Sequence, residues 1–259
     1  MLPAQKSERV LVKMKYSVII PVFNEQDAVQ GVYVAVKNIM LKLAESYEVL
    51  FIDDGSTDQT LTRLKRLAAG QGDIGVISLE RHAGKAQALQ AGFDVAVGDI
   101  YITMDGDGQD EPAEIPKLLE KMGQGYDVVC GWRHRRQDHF IRRASSWLAG
   151  RVRGALLPEG IHDVGCALRV FRKKDIEGLC LSRGFHRFFT FMIKKKGFKV
   201  GEVQVIHHSR KTGISKYGIL NRLPQGLADL LLMMCVDLDK LMAGPCHYKI
   251  KGIYKSGEV

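Results

Sequence analysis

Four short runs of apolar and β-branched residues, at 16–22, 47–52, 74–79 and 100–104, alternate with segments of helical periodicity, and each run breaks off in a polar or glycine-rich turn. Such runs read as strands buried on both faces of a sheet. The segments between them, 27–44, 57–69 and 85–97, carry apolar residues at helical spacing; the second follows Ser56-Thr57-Asp58, which suits an N-cap, and the third follows Gly84. A helix at 114–122 leads to a further strand at 127–131. Strict alternation demands right-handed crossovers, so the expected fold is α/β: a doubly wound, mostly parallel sheet with helices on both faces.

After Trp132 the rhythm changes to a basic loop, a helix at 145–156, a strand at 167–172, an aromatic helix at 185–193 and a strand at 199–206. A last helix at 220–242 is interrupted by Pro224, and its Leu223, Leu227, Leu230, Leu231, Met234, Leu238 and Leu241 fall near helical spacing. That stripe fits a core-packing helix or an amphipathic helix lying in a membrane interface. The expected organisation is an N-terminal extension at 1–15, a domain at 16–218 with halves at 16–131 and 132–218, and a C-terminal amphipathic helix and tail at 219–259.

At 259 residues and 46% hydrophobic content the chain can fill one substantial core. Cysteines 130, 166, 180, 235 and 246 have neither disulfide-framework nor zinc-site spacing, which points to a reducing cytoplasm. No apolar signal core opens the chain, and no window approaches the roughly 20 apolar residues of a membrane-spanning helix. Charge is divided: residues 1–130 hold 13 Lys and Arg against 19 Asp and Glu, net −6, whereas the remainder holds 25 against 10, net +15. An acidic front suits a cation, and a basic back suits nucleic acid, an anionic membrane surface or a phosphorylated substrate.

The acidic residues are not scattered. Glu25 follows the first strand, Asp53 and Asp54 end the second, and Asp105, Asp107, Gln109, Asp110 and Glu111 follow the fourth. Ligands of open parallel sheets bind at these carboxyl ends. Asp105 and Asp107 can converge where Gly106 and Gly108 let the chain turn, and with an amide oxygen from Gln109 they suit a hard divalent ion, Mg²⁺ or Mn²⁺, that keeps positions open for phosphates. Asp58 reads as a helix cap. A calcium loop starting at Asp105 would need glycine at its sixth position and glutamate at its twelfth, where Asp110 and Pro116 stand. The Gly-x-Gly-x-x-Gly of residues 70–75 precedes a strand instead of opening a helix, and Ala83-Gly84-Lys85 lacks the remaining residues of a phosphate loop.

In order and spacing, SVIIPVFNE, VLFIDDGSTDQT, RHAGKAQALQAGF, MDGDGQDEPAEIPKLL, YDVVCGWR, DVGCALRVFRK and HHSRKTGISKYG resemble family 2 glycosyltransferases of the GT-A fold. Within them the chain is similar to polyprenyl-phosphate glycosyltransferases related to dolichyl-phosphate mannose synthase, over about residues 16–235, with the Arg210–Tyr217 element the most discriminating. The resemblance implies transfer of a sugar from a nucleotide-diphosphate donor to a polyprenyl phosphate at the cytoplasmic membrane face. It implies that Pro21, Phe23, Glu25, Asp53 and Asp54 hold the nucleoside. Asp105, Gly106, Asp107 and Gln109 would hold the metal diphosphate, with Mg²⁺ or Mn²⁺ as cofactor. Arg133, Arg143, Arg210, Ser215 and Lys216 would hold phosphate groups, with Arg142 and Lys211 as further candidates. The catalytic set is then Asp105, Asp107, Arg133, Arg210 and Lys216. His208-Ser209 stands where many relatives have Arg-Pro, and the transmembrane helices that many relatives carry are absent, so a basic surface, an amphipathic helix or a separate integral-membrane partner is expected to supply attachment.

A phosphate monoester, with a second pKa of about 6, attacks without a general base, so cationic positioning becomes the protein's task. The alternative is the same fold acting on a hydroxyl acceptor, which needs a base. By the same resemblance, Asp163 lies where inverting relatives can place an acidic residue close to the acceptor, and its role could be to orient an arginine or the sugar. The eight histidines suggest no ligand set, and Cys166 reads as packing. A nucleic-acid-binding role is disfavoured, because three acidic strand ends would repel a phosphate backbone.

Overall fold

The computed structural model describes residues 15–133, 161–163, 165–178, 181, 189–209 and 247–256. Strands β1 (Tyr16–Val22), β2 (Tyr47–Asp53), β3 (Ile74–Leu79) and β4 (Ile100–Thr103) alternate with helices α1 (Val29–Lys42), α2 (Thr60–Ala69) and α3 (Lys85–Val95). A short 3₁₀ turn and α4 (Ile115–Gly123) lead to β5 (Val128–Trp132). Strand β6 (Arg169–Arg172), a one-turn helix Lys173–Ile176, a helix Phe189–Lys195, β7 (Val200–Gln204) and β8 (Ile250–Lys255) complete the described elements.

The eight strands form one sheet in the order β7-β5-β6-β4-β1-β2-β3-β8. Strands β1 to β4 pair in parallel, as does β5 with β7, while β6 runs antiparallel between β4 and β5 and β8 runs antiparallel to β3. Strands β1 to β4 are buried on both faces. Ile19, Leu50, Ile52 and Ile77 face a core shared with α3 and the helix Phe189–Lys195, and Val18, Ile20, Val49, Phe51 and Val76 face a second core shared with α1, α2 and α4. Successive residues of one strand point to opposite faces, and both faces are dry, so the sequence shows uninterrupted apolar runs.

The first four strands lie where the apolar runs place them, to within a residue. Helices α1 and α2 begin two to three residues later than their periodicity suggests, because Glu25 to Asp27 and Thr57 to Gln59 are spent on turns. Strand β8 was not expected. Its residues 250–255, Ile-Lys-Gly-Ile-Tyr-Lys, lie in a segment read as tail, and only the open edge of β3 makes a strand of them. Glu80 N donates to Lys249 O at 2.9 Å and His247 N to Gln87 Oε1 at 2.8 Å, which fastens this segment beside α3. The helices expected at 145–156 and 220–242 lie outside the described residues.

Candidate active site

The carboxyl ends of β1, β2 and β4 open on one edge of the sheet, and the loops there are stitched to one another. Asp54 N donates to Val22 O at 2.9 Å, Thr57 N to Asn24 Oδ1 at 2.7 Å and Glu25 N to Thr60 Oγ1 at 2.8 Å. Asp58 stands one residue before the N-cap Gln59 of α2 and its Oδ1 accepts from Thr60 N at 2.9 Å, so it closes the turn into the helix without being its N-cap. Pro21, Phe23 and Glu25 are half-buried along this edge.

Asp53 and Asp54 are both buried. Asp53 accepts from Ser56 N at 3.3 Å and from the Ser78 hydroxyl at 3.4 Å. Asp54 accepts from Ala83 N at 2.7 Å and Gly84 N at 2.9 Å, and lies 2.8 Å from His82 Nδ1. Burial pushes both carboxyls above the usual aspartate range, against these hydrogen bonds. The position of Asp54 explains Gly55: a Cβ there would lie 2.6 Å from the backbone of Arg81 and His82. Asp54 thus shapes the loop at 81–84, while Asp53 holds Ser56 and Ser78. That loop also presents an aromatic ring. The His82 ring stacks on Phe23 with centroids 4.1 Å apart and planes at 22°.

The acidic knot forms a tight turn after β4. Gly106 passes so close to β1 that a Cβ would sit 2.3 Å from Val22 Cγ1, and Gly108 adopts φ +74°. Asp105 N donates to Asp110 Oδ2 at 2.9 Å and Gln109 N to Asp107 Oδ1 at 3.1 Å, so Asp105 and Asp107 are held in one turn from within. Gln109 also anchors the turn: its Nε2 donates to His208 O at 3.0 Å while His208 N donates back to Gln109 O at 2.8 Å, which ties the turn to the chain after β7. His207 lies 3.4 Å from Asp110 and His208 lies 2.8 Å from Glu111, so the two adjacent rings reach different carboxylates.

Two features complete this edge, the first unforeseen and the second among the roles the sequence left open to Asp163. Lys85, the first residue of α3, pairs its ammonium with Asp105 Oδ1. The motif containing it is visible in the sequence, but nothing local says which strand end it meets. The second is a chain of contacts at the end of β5. Arg133 gives Nε and Nη2 to the two oxygens of Asp163, at 2.6 and 3.0 Å, and Glu202 on β7 accepts from His162 N at 2.9 Å, Asp163 N at 3.0 Å and the His162 ring at 2.7 Å. The pairing with Asp163 raises the Arg133 pKa above its ordinary value despite burial, so the guanidinium stays charged. Burial pushes the Cys166 thiol up, in keeping with a packing role. Arg143, Arg210, Ser215 and Lys216, with Arg142 and Lys211, lie outside the described residues.

Among the described residues no three His, Cys, Asp or Glu side chains form a complete metal cluster. Two carboxylates nonetheless fit Mg²⁺ or Mn²⁺, which is commonly held by one or two carboxylates together with substrate phosphates and water. The Asp105 oxygen already attracts a cation, the Lys85 ammonium.

A parallel sheet whose strand ends gather an acidic turn, an aromatic pair and a buried arginine has the form of a nucleotide-sugar transferase of GT-A architecture. A family model, glycosyl transferase family 2, matches residues 17–180, and the chain belongs to this family. It is 34% identical over 226 residues to dodecaprenyl-phosphate galacturonate synthase of Rhizobium johnstonii, covering 85% of this chain and 67% of that protein. It is 35% identical over 230 residues to undecaprenyl-phosphate 4-deoxy-4-formamido-L-arabinose transferase of Klebsiella pneumoniae, covering 88% and 70%. Among solved structures, glucosyl-3-phosphoglycerate synthase of Mycobacterium tuberculosis in complex with Mn²⁺ and uridine-diphosphate-glucose superposes with a TM-score of 0.66 at 20% identity, covering 86% of this chain and 79% of that one. At that identity the likeness establishes the fold alone.

Proposed function

We propose that this chain transfers a sugar, with inversion, from a nucleotide diphosphate to a polyprenyl phosphate. The observation that carries the proposal is the acidic turn of Asp105 and Asp107, held at the strand ends beside Lys85, Phe23 and His82. The two relatives at 34% and 35% identity support the acceptor, since both are named for polyprenyl-phosphate substrates.

A divalent ion bound at Asp105 and Asp107 would neutralise the charge developing on the leaving diphosphate. The chain's own residues then account for the remaining tasks. Phe23 offers an aromatic face and Glu25 a carboxylate to the nucleoside, with Pro21 shaping the same edge. Asp53 and Asp54 are proposed to contact the nucleoside as well, Asp54 also holding the 81–84 loop, and Gly106 lets the turn approach β1. In the reaction an acceptor phosphate oxygen bonds to the anomeric carbon as the bond to the diphosphate breaks, and the electron pair departs on the diphosphate.

The fate of Asp163 favours a phosphate over a hydroxyl acceptor. A hydroxyl must surrender a proton to a base. Asp163, which the resemblance places near the acceptor, has both oxygens on Arg133. A guanidinium carries five N–H donors; two of those of Arg133 go to Asp163, and by count three remain for phosphate. Arg143, Arg210, Ser215 and Lys216 are proposed to complete the phosphate-binding set.

No described helix is long and apolar enough to cross a membrane. Peripheral attachment at the cytoplasmic face is proposed through the basic half, each exposed Lys or Arg near an anionic leaflet contributing about 1 kcal/mol. An amphipathic 220–242 helix or a separate membrane protein would add to it; residues 250–255, pairing with β3 as β8, belong with the domain of residues 16–218 rather than with a separate tail.

The test is incubation of purified protein with UDP-, GDP- and dTDP-sugars, Mg²⁺ or Mn²⁺ and a short polyprenyl phosphate, with mass spectrometry of the lipid. A glycosyl-phosphoryl-polyprenol is the expected product. Transfer to hydroxyl acceptors with none to polyprenyl phosphate would overturn the proposal.

A further inference from the structure

Lys85 and Asp105 are each mounted on backbone that is held by something else. Ahead of Lys85, the amides of Ala83 and Gly84 are taken by the Asp54 carboxylate at 2.7 and 2.9 Å, and Gly84 adopts φ +93° where α3 begins. The Asp105 amide is taken by Asp110, and the turn behind it is closed by Gly106 against Val22. The ammonium therefore meets the carboxylate across two separately fixed loops, and the contact is not a chance approach of two loose surface chains. Both side chains keep about a third of their surface exposed, 32% and 36%, so the pair can exchange with solvent ions.

We propose that Lys85 is a resident counter-cation of the acidic turn, competing with the divalent ion for Asp105; this rests on the metal reading above. The oxygen on which the ammonium sits, Oδ1, is a ligand atom a metal would need. A divalent ion arriving alone must displace the ammonium and then tolerate a like charge on a short tether, and both effects weaken its binding. A nucleotide diphosphate reverses the balance, because its oxygens add ligands for the metal and its negative charge gives the displaced ammonium a partner. Lys85 thus makes retention of the metal depend on the donor, a coupling between two ligands that is reciprocal by linkage. It discourages the ion from occupying the turn before there is a leaving group to stabilise.

The discriminating measurement is Mn²⁺ binding without nucleotide, followed by the electron paramagnetic resonance signal of free Mn²⁺. Lys85→Met is expected to bind Mn²⁺ about three- to tenfold more tightly than the unsubstituted protein, the scale on which a partly exposed ion pair and its repulsion act. Lys85→Arg, which keeps the charge, is expected to leave the affinity near that of the unsubstituted protein. Thermal unfolding of each variant checks that the fold is retained. Unchanged or weaker Mn²⁺ affinity in folded Lys85→Met overturns the proposal. The Asp105→Asn/Asp107→Asn protein separates the two levels: if it loses Mn²⁺ while Lys85→Met is neutral, only the competition is wrong. If it binds Mn²⁺ like the unsubstituted protein, the acidic turn is not the metal site and both readings fall.

Discussion

Arg133 and Asp163 are joined by two parallel hydrogen bonds, Nε to Oδ2 at 2.6 Å and Nη2 to Oδ1 at 3.0 Å, between the end of β5 and a segment 30 residues further along the chain. Both are largely buried, with side chains 16% and 5% exposed. Removing one partner of such a pair costs about 3–5 kcal/mol, because the other charge is left uncompensated. Asp163→Asn is therefore expected to lower stability by an amount in that range, and Arg133→Met/Asp163→Asn to recover part of it. Activity is expected to stay low in the double variant, since the guanidinium itself is gone. A denaturation cycle over the four proteins, run beside turnover, measures both; additive single effects would show that the pair is not coupled.

Glu202 holds this arrangement from the neighbouring strand, accepting from two successive amides and the His162 ring. Glu202→Gln leaves an acceptor for one amide but not the full set, and is expected to raise KM for the acceptor several-fold with a smaller change in kcat. Glu202→Asp, with the charge kept on a shorter arm, should fall between. Equal loss in KM and kcat for both variants would argue for general destabilisation.

The strand ends could be found in the sequence because burial on both faces writes itself as unbroken apolar runs, and because carboxylates clustered after such runs have few purely structural uses. The pairing of Lys85 with Asp105 and of Arg133 with Asp163 could not, because each joins residues from different loops and neither has a periodicity to announce it. Asp53 and Asp54 show the converse. Their position at a strand end was readable, but the hydrogen bonds of Asp54 to Ala83 and Gly84 depend on how the 81–84 loop returns over the sheet. Strand β8 was missed for a related reason: its short Ile-Lys-Gly-Ile-Tyr-Lys run, with Ile250 and Ile253 exposed, has no buried periodicity and becomes a strand only because β3 offers an edge.

Asp73 supplies a pH-dependent part of the stability. It accepts from the Tyr33 and Tyr47 hydroxyls at 2.7 and 2.8 Å and pairs with Lys37 at 3.4 Å, tying α1 to the start of β3. Burial raises its pKa, but the two tyrosine hydrogen bonds and Lys37 outweigh that and hold the carboxyl below its ordinary value. A depressed carboxyl stabilises the fold above the unfolded pKa, about 3.9, and loses that contribution as pH falls through the lower folded value. Asp73→Asn is expected to cost about 1.5–3 kcal/mol at pH 7, the scale for hydrogen bonds to a charged group. The gap between variant and unsubstituted protein should narrow below pH 4. A gap constant from pH 7 to pH 3 in urea unfolding would show that the charge is not what matters.

Gly106 tests whether the turn's closeness to β1 is needed. A Cβ there would lie 2.3 Å from Val22 Cγ1, and valine has little rotamer freedom with which to yield. Gly106→Ala is expected to cost about 1–3 kcal/mol in overpacking and to displace Asp105 and Asp107 enough to lower turnover. Val22→Ala/Gly106→Ala, which opens the space, should restore a measurable part of the turnover even though it adds a small cavity elsewhere in the core.

The acidic turn predicts a separation between rate and stability. Asp105 and Lys85 are each about one-third exposed, 36% and 32%, so breaking their ion pair should change the unfolding free energy little, within about 1 kcal/mol. Asp107→Asn keeps an oxygen for the Gln109 amide and should be equally mild. Turnover is a different matter, because charge accumulates on the leaving diphosphate only in the transition state, and a group aimed at developing charge is worth on the order of 10² to 10³ in rate. Asp105→Asn and Asp107→Asn are thus expected to melt within a few degrees of the unsubstituted protein while losing at least that factor in sugar transfer, and chelation should inactivate the unsubstituted enzyme reversibly. If the double variant kept full turnover in the presence of chelator, the acidic turn would be a piece of loop architecture, and the leaving group would have to be stabilised by the arginines and lysines alone.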